Sequence, residues 1–106
     1  MCHCFACQRR TGSVFGVQAR FANQNVEIRG TSTAFVRVGD SGSKATFHFC
    51  PACGATVHYV IEGHPDVVGI PVGAFADPDF PLPVRSVYEE HMHSWVRVPP
   101  DVEHLP

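Results

Sequence analysis

The chain opens with Met1-Cys-His-Cys-Phe-Ala-Cys-Gln-Arg-Arg-Thr-Gly-Ser-Val-Phe-Gly16. Three thiols, those of Cys2, Cys4 and Cys7, fall within six consecutive positions. Thiolates bind Zn²⁺ in tetrahedral geometry at about 2.3 Å, and three ligands from one tight turn can share a single ion. The fourth position then stays open for water or a substrate thiol. That arrangement is typical of a catalytic zinc site rather than a closed structural one.

A second cysteine pair, Cys50-Pro-Ala-Cys53, leaves two interpretations open. On spacing alone, the two C-x-x-C pairs predict a closed structural site in a non-enzymatic zinc module, formed by Cys4, Cys7, Cys50 and Cys53. The other interpretation keeps Cys2 with Cys4 and Cys7 in one open site, which explains why a third thiol is present. Cys50 and Cys53 would then lack two of the four ligands that a structural zinc needs.

Composition narrows the classes of protein to consider. The 106 residues are 44% hydrophobic and 17% charged, with a formal net charge of −2, so we expect one globular domain over residues 1–106. Basic residues are scattered, which argues against a nucleic-acid partner. No apolar run reaches the roughly 18 residues of a membrane span, and no signal peptide precedes the cysteines. Five cysteines, an odd number, argue against a disulfide framework, and the cytoplasm is the expected location.

Short apolar segments separated by nine glycines and nine prolines predict an all-β fold, a small sandwich or a folded pair of sheets. No ten-residue stretch free of Gly and Pro has apolar side chains at the helical period, so no helix is predicted. The predicted strands are 14–21, 26–29, 34–38, 44–49, 55–61, 67–75, 84–88 and 95–98, and residues 99–106 are expected to lack regular structure. Five aromatic residues are predicted for the core: Phe15, Phe47, Phe49, Tyr59 and Trp95.

Four motifs carry a family resemblance. Cys2-His-Cys-Phe-Ala-Cys-Gln-Arg-Arg-Thr-Gly12 fits a C-H-C-x-x-C-x-x-x-x-G pattern. It is followed by Phe49-Cys-Pro-Ala-Cys-Gly54, Val72-Gly-Ala-Phe-Ala-Asp77 and His93-Ser-Trp-Val96. In kind and order, these motifs resemble those of the glutathione-dependent formaldehyde-activating enzymes, the family that also includes centromere protein V. The resemblance spans most of the chain.

The resemblance implies a Mss4-like β fold with zinc-binding cysteine turns and a zinc-dependent carbon–sulfur lyase activity of the S-(hydroxymethyl)glutathione synthase type. By this resemblance, the catalytic zinc would be bound by Cys2, Cys4 and Cys7. Half of a structural zinc site would come from Cys50 and Cys53. The implied partners are small thiols and aldehydes, with glutathione as the candidate co-substrate. A glutathione carrier without turnover is a further alternative.

The sequence departs from the family at its N-terminal end. The upstream C-x-C strand that completes the structural zinc in the family is not in this sequence, so we expect a domain that is short at its N-terminus. His48 or His58 is a candidate to complete the site from strands flanking Cys50 and Cys53. A missing strand also exposes a sheet edge, for which a homodimer is the expected consequence.

Residues next to the first cysteine cluster are candidates for substrate contacts. Arg9 and Arg10 can offset the negative charge of three thiolates or bind a substrate carboxylate, because guanidinium pairs with carboxylate in a fork geometry. Gly12 is expected to let the backbone turn close to the metal. His3, between two ligands, is expected to point outward and not to bind the metal.

Overall fold

The computed structural model describes residues 1–39 and 41–106. The chain forms two compact units, one comprising residues 1–18 and 77–106 and the other residues 19–76. No helix in the described chain has the length and apolar character needed to cross a membrane. The expectation of a single domain over residues 1–106 stays a prediction.

The second unit is built on a five-stranded sheet. Its strands are β1 (Gln18–Ala22), β2 (Thr33–Val38), β3 (Lys44–Phe49), β4 (Thr56–Ile61) and β5 (His64–Pro71), in the order β1-β5-β4-β3-β2. The β2–β3, β3–β4 and β4–β5 pairs are antiparallel. The prediction of an all-β fold is confirmed.

Alternation along β3 decides which face of the sheet is covered. Ala45 and Phe47 are buried, and the Phe47 ring stacks on Tyr59 of β4 with ring centroids 5.2 Å apart. Tyr59 in turn lies over Gly69 of β5, its register partner, so closely that a methyl group at position 69 would overlap the ring. Ile61 packs against the same cluster. Residue 69 is therefore glycine because the tyrosine ring occupies the space of a side chain.

Strand β2 lies at one edge of the sheet and leaves Phe35, Val36 and Val38 exposed. An exposed apolar edge of this kind is a template for pairing with another chain. The expected homodimer stays a prediction.

The first unit holds a short helix and a two-stranded parallel sheet. The helix α1 spans Phe5–Thr11, and the strands are β6 (Arg85–Val87) and β7 (Glu103–Leu105). Cys2 forms isolated bridges to Gly16 on one side and to Val87 on the other. The N-terminal segment is thereby attached to β6, more than eighty residues away in sequence.

Several sequence predictions need correction. The predicted strands 26–29 and 95–98 are not strands, and Ile28 is 55% exposed and Trp95 67% exposed. Trp95 is therefore not a core residue, and Phe15 and Phe49 are only partly buried. The predicted strand 14–21 shortens to β1, and the predicted strand 67–75 ends in a 3₁₀ turn at residues 72–75. The helix α1 and strand β7 were not predicted.

Candidate metal centre

Three sulfur atoms meet at the N-terminal turn. The Sγ atoms of Cys2, Cys4 and Cys7 all lie within 4.8 Å of one another. Thiolates on a tetrahedral Zn²⁺ with bonds of about 2.3 Å stand about 3.8 Å apart, so small side-chain adjustments suffice to place all three on one ion. Within residues 1–39 and 41–106, this trio is the one group of three or more such ligands. The donor set and its spacing fit a soft divalent metal.

Each of the three cysteines is positioned by a different local structure. The backbone of Cys2 is fixed by hydrogen bonds with Gly16, N to O at 2.8 Å and O to N at 2.9 Å. Cys4 is the N-cap of α1, with extended backbone angles, and its sulfur accepts a hydrogen bond from the Cys7 N–H at 3.4 Å. Cys7 lies in the helix and is buried. One helical turn therefore brings Cys7 back over Cys4, at the i, i+3 spacing.

The helix itself is explained by its two ends. The Cys4 sulfur caps the N-terminus in the place usually taken by a hydroxyl or carboxylate oxygen. Gly12 ends the helix in the left-handed conformation, at φ 69°, with its N–H donating to the Gln8 carbonyl at 2.9 Å. Gly12 thus has a structural role as the C-cap, and its expected contact with substrate stays a prediction.

Hydrogen bonding among the thiols sets which of them ionises first. The hydrogen bond from the Cys2 thiol lowers the pKa of Cys7 to about 5, although burial of Cys7 opposes this. The same hydrogen bond, together with burial, raises the pKa of Cys2. The cluster alone therefore holds one thiolate easily and resists a second one. A bound cation would remove that resistance, because metal binding and thiol deprotonation are linked.

Arg10 and Gln18 border the Cys7 sulfur. Arg10 is partly buried and its positive charge contributes to the low pKa of Cys7, whereas Arg9 is exposed. The Gln18 Nε2 lies 3.4 Å from Cys7 Sγ, where it can donate to a thiolate. With the amide turned over, its oxygen accepts from Arg10 Nη2 at 3.1 Å and its nitrogen donates to the Gly16 carbonyl at 3.3 Å. The expected substrate contacts of Arg9 and Arg10 stay predictions.

The sequence did not predict two networks of hydrogen bonds that lie around the three cysteines. The expectation that His3 points outward is wrong, because its side chain is completely buried and its Nε2 lies 3.0 Å from Ser86 Oγ. Gln8 Nε2 donates to the His3 carbonyl at 2.9 Å and to the His91 carbonyl at 3.2 Å, and Gln8 Oε1 lies 3.3 Å from His93 Nε2. The position of His3 between two ligands was a signal in the sequence, but nothing in the sequence marked Ser86.

The second cysteine pair lies in the other unit, on a turn between β3 and β4. The turn is closed by hydrogen bonds from Gly54 N to the Cys50 carbonyl at 2.8 Å and from Cys50 N to the Ala55 carbonyl at 2.9 Å. Gly54 has φ 78°, as the end of such a turn requires. Backbone N–H groups of Ala52 and Cys53 lower the pKa of Cys50, which prepares its sulfur to ionise.

His48 and His58 pair with each other on neighbouring strands. Their rings stack with centroids 4.3 Å apart, and His48 Nδ1 lies 3.1 Å from Ser32 Oγ. In the described part of the chain, neither ring joins a group of three metal ligands. Their expected role with Cys50 and Cys53 stays a prediction, as does the closed site of Cys4 and Cys7 with that pair.

The family model described as glutathione-dependent formaldehyde-activating enzyme matches residues 1–97, which include both cysteine pairs and β6. No match is found among curated proteins.

Proposed function

Because this chain belongs to the glutathione-dependent formaldehyde-activating enzyme family, we propose that it is a zinc-dependent carbon–sulfur lyase acting on thiol–aldehyde adducts. Cys2, Cys4 and Cys7 would hold the catalytic zinc, and the observation that supports this is the convergence of their three sulfur atoms within 4.8 Å. Three ligands leave one position open, which catalytic zinc sites need and structural ones lack. An adduct such as S-(hydroxymethyl)glutathione is the substrate class that we propose.

The proposed reaction is a reversible addition. A thiol sulfur forms a bond to the carbonyl carbon of an aldehyde, and the thiol proton ends on the former carbonyl oxygen as a hydroxyl group. Zinc bound by the trio would keep the reacting thiol deprotonated at neutral pH and polarise the carbonyl. A free thiol, with a pKa of about 8.5, is mostly protonated at neutral pH. The three cysteines act as ligands in this proposal and not as nucleophiles.

The chain's own residues would supply binding and charge balance. Three thiolates on a divalent ion leave a net negative charge, which the partly buried Arg10 offsets. The exposed guanidinium of Arg9 can bind a carboxylate of an anionic thiol such as glutathione. Gln8 holds the carbonyls of His3 and His91 together, which fixes the backbone on both sides of the cluster.

Two measurements on the reduced protein test this proposal. The first is metal content, for which we expect about one zinc per open thiolate site. The second is the rate of thiol consumption after mixing glutathione with formaldehyde, which zinc-loaded protein should increase and an excess of chelator should return to the uncatalysed rate. A second thiol without carboxylates, such as 2-mercaptoethanol, serves as the matched substrate control for the role of Arg9. Zinc-loaded protein that leaves the rate unchanged would contradict the proposal.

A further inference from the structure

His3 makes hydrogen bonds through its ring and both of its backbone groups, although it is not a ligand in the proposed site. Its side chain is completely buried, and its ring Nε2 lies 3.0 Å from the equally buried Ser86 Oγ. Its backbone N–H donates to the Val87 carbonyl at 3.1 Å, and its carbonyl accepts from Gln8 Nε2 at 2.9 Å. Both backbone groups and the ring of the residue between Cys2 and Cys4 are therefore fixed to other elements of the same unit.

The groups around Ser86 favour one protonated ring nitrogen in His3. The pKa of Glu89 is lowered, chiefly by the Ser86 hydroxyl. Glu89 Oε1 lies 2.7 Å from His104 Nδ1 as well. An ionised carboxylate can only accept, so a Ser86 hydroxyl proton directed at Glu89 leaves Oγ free to accept from His3. In that arrangement the imidazole proton lies on Nε2.

The other ring nitrogen of His3 agrees with this assignment. Nδ1 is buried and has no hydrogen-bond partner among the described residues. A buried N–H without an acceptor costs about 1–3 kcal/mol, and a bare nitrogen lone pair avoids leaving such a donor unpaired. The Nε2–H tautomer leaves a lone pair at Nδ1 and is therefore the one that the surroundings favour.

We propose that His3 is a positioning residue whose Nε2–H tautomer, paired with Ser86, holds the turn between Cys2 and Cys4 so that their sulfur atoms converge. The inference rests on the proposed function in that the converged sulfurs are taken to bind the metal. Outer groups of this kind typically change metal affinity by about 10–100-fold. His3 acts through the cysteines on either side of it and touches neither metal nor substrate.

Two substitutions of His3 test whether its hydrogen bond to Ser86 matters or only the volume of its side chain. In His3→Gln the amide nitrogen reaches the position of Nε2 and can still donate to Ser86, whereas in His3→Asn it falls near Nδ1 and cannot. We expect Co²⁺ affinity, measured by competition with a chelator, to stay within about threefold of wild type in His3→Gln and to fall by about 10–100-fold in His3→Asn. Equal affinities of the two variants would overturn the proposal.

A second measurement uses metal-free, reduced protein and does not depend on the proposed function. Histidine ¹⁵N chemical shifts at about pH 7 should show His3 as the neutral Nε2–H tautomer in wild type. In Ser86→Ala the amide of His3 should exchange with solvent about 10–100-fold faster, since local opening becomes easier. Ser94→Ala, at an exposed serine of the same unit, is the control and should change neither quantity. An Nδ1–H tautomer in wild type, or unchanged exchange in Ser86→Ala, would overturn the inference. Wild type that binds no Co²⁺ while keeping these signatures would instead refute the proposed function alone.

Discussion

Replacing Cys2 with serine removes one of the three sulfur atoms that lie within 4.8 Å of one another. Structural zinc with four ligands binds with about 10–16 kcal/mol, or about 2.5–4 kcal/mol per ligand, so removal of one ligand should weaken metal binding by about 70–900-fold. The serine hydroxyl can still donate a hydrogen bond to Cys7, so the expected loss comes from the missing thiolate ligand.

The matched control is Cys53→Ser, which removes a thiol of the second unit. If the open trio binds the metal, this variant should keep wild-type affinity at the first site. Titration with Co²⁺ in the presence of a competing chelator measures both variants, and the absorption of sulfur-to-cobalt charge transfer counts the thiolate ligands. Far-ultraviolet circular dichroism checks that both variants fold.

The two interpretations of the cysteines give opposite results in this experiment. A closed site of Cys4, Cys7, Cys50 and Cys53 predicts that Cys53→Ser loses affinity and Cys2→Ser does not. That outcome would refute the open site and with it the proposed chemistry. A loss confined to Cys2→Ser would support the open site.

Other consequences concern stability. In Gly69→Ala the new methyl would overlap the Tyr59 ring, so we expect a loss of about 3 kcal/mol and a melting temperature lower by at least about 10 °C, whereas Gly63→Ala, with open space around it, should stay within about 0.5 kcal/mol of wild type. Burial, and secondarily His48, lowers the pKa of His58 below its unfolded value of about 6.5. The unfolded chain therefore binds more protons as pH falls. Stability to urea should be full above about pH 6.5 and decline as pH falls through the folded pKa; this decline should be smaller in His48→Gln, and an unchanged decline would contradict the assigned cause. Free zinc at about one hundred times its dissociation constant should stabilise the reduced protein by about 2.7 kcal/mol in calorimetry, and excess chelator should abolish the effect; stability that ignores zinc would argue against a folded-state site.

The chemistry of the N-terminal turn could be predicted from the sequence because it is local. Three thiols within six positions must lie near one another in any compact turn, so their convergence needed little from the rest of the chain. The all-β class was also predictable, since alternation along a strand such as β3 and frequent turn residues are local signals. The family resemblance drew on the same short motifs.

The precise geometry of the site came from the tertiary structure. The helix α1 has only seven residues, too few to show an apolar period, and it depends on a cysteine cap and on Gly12. Strand β7 is exposed along its length, so no apolar alternation marked it, and it exists because it pairs with β6. The ring of His3 meets Ser86 across eighty-three positions of sequence. Hydrogen bonds between such distant residues depend on which strands adjoin, and strand neighbours are chosen by the packing of the whole unit rather than by any local pattern.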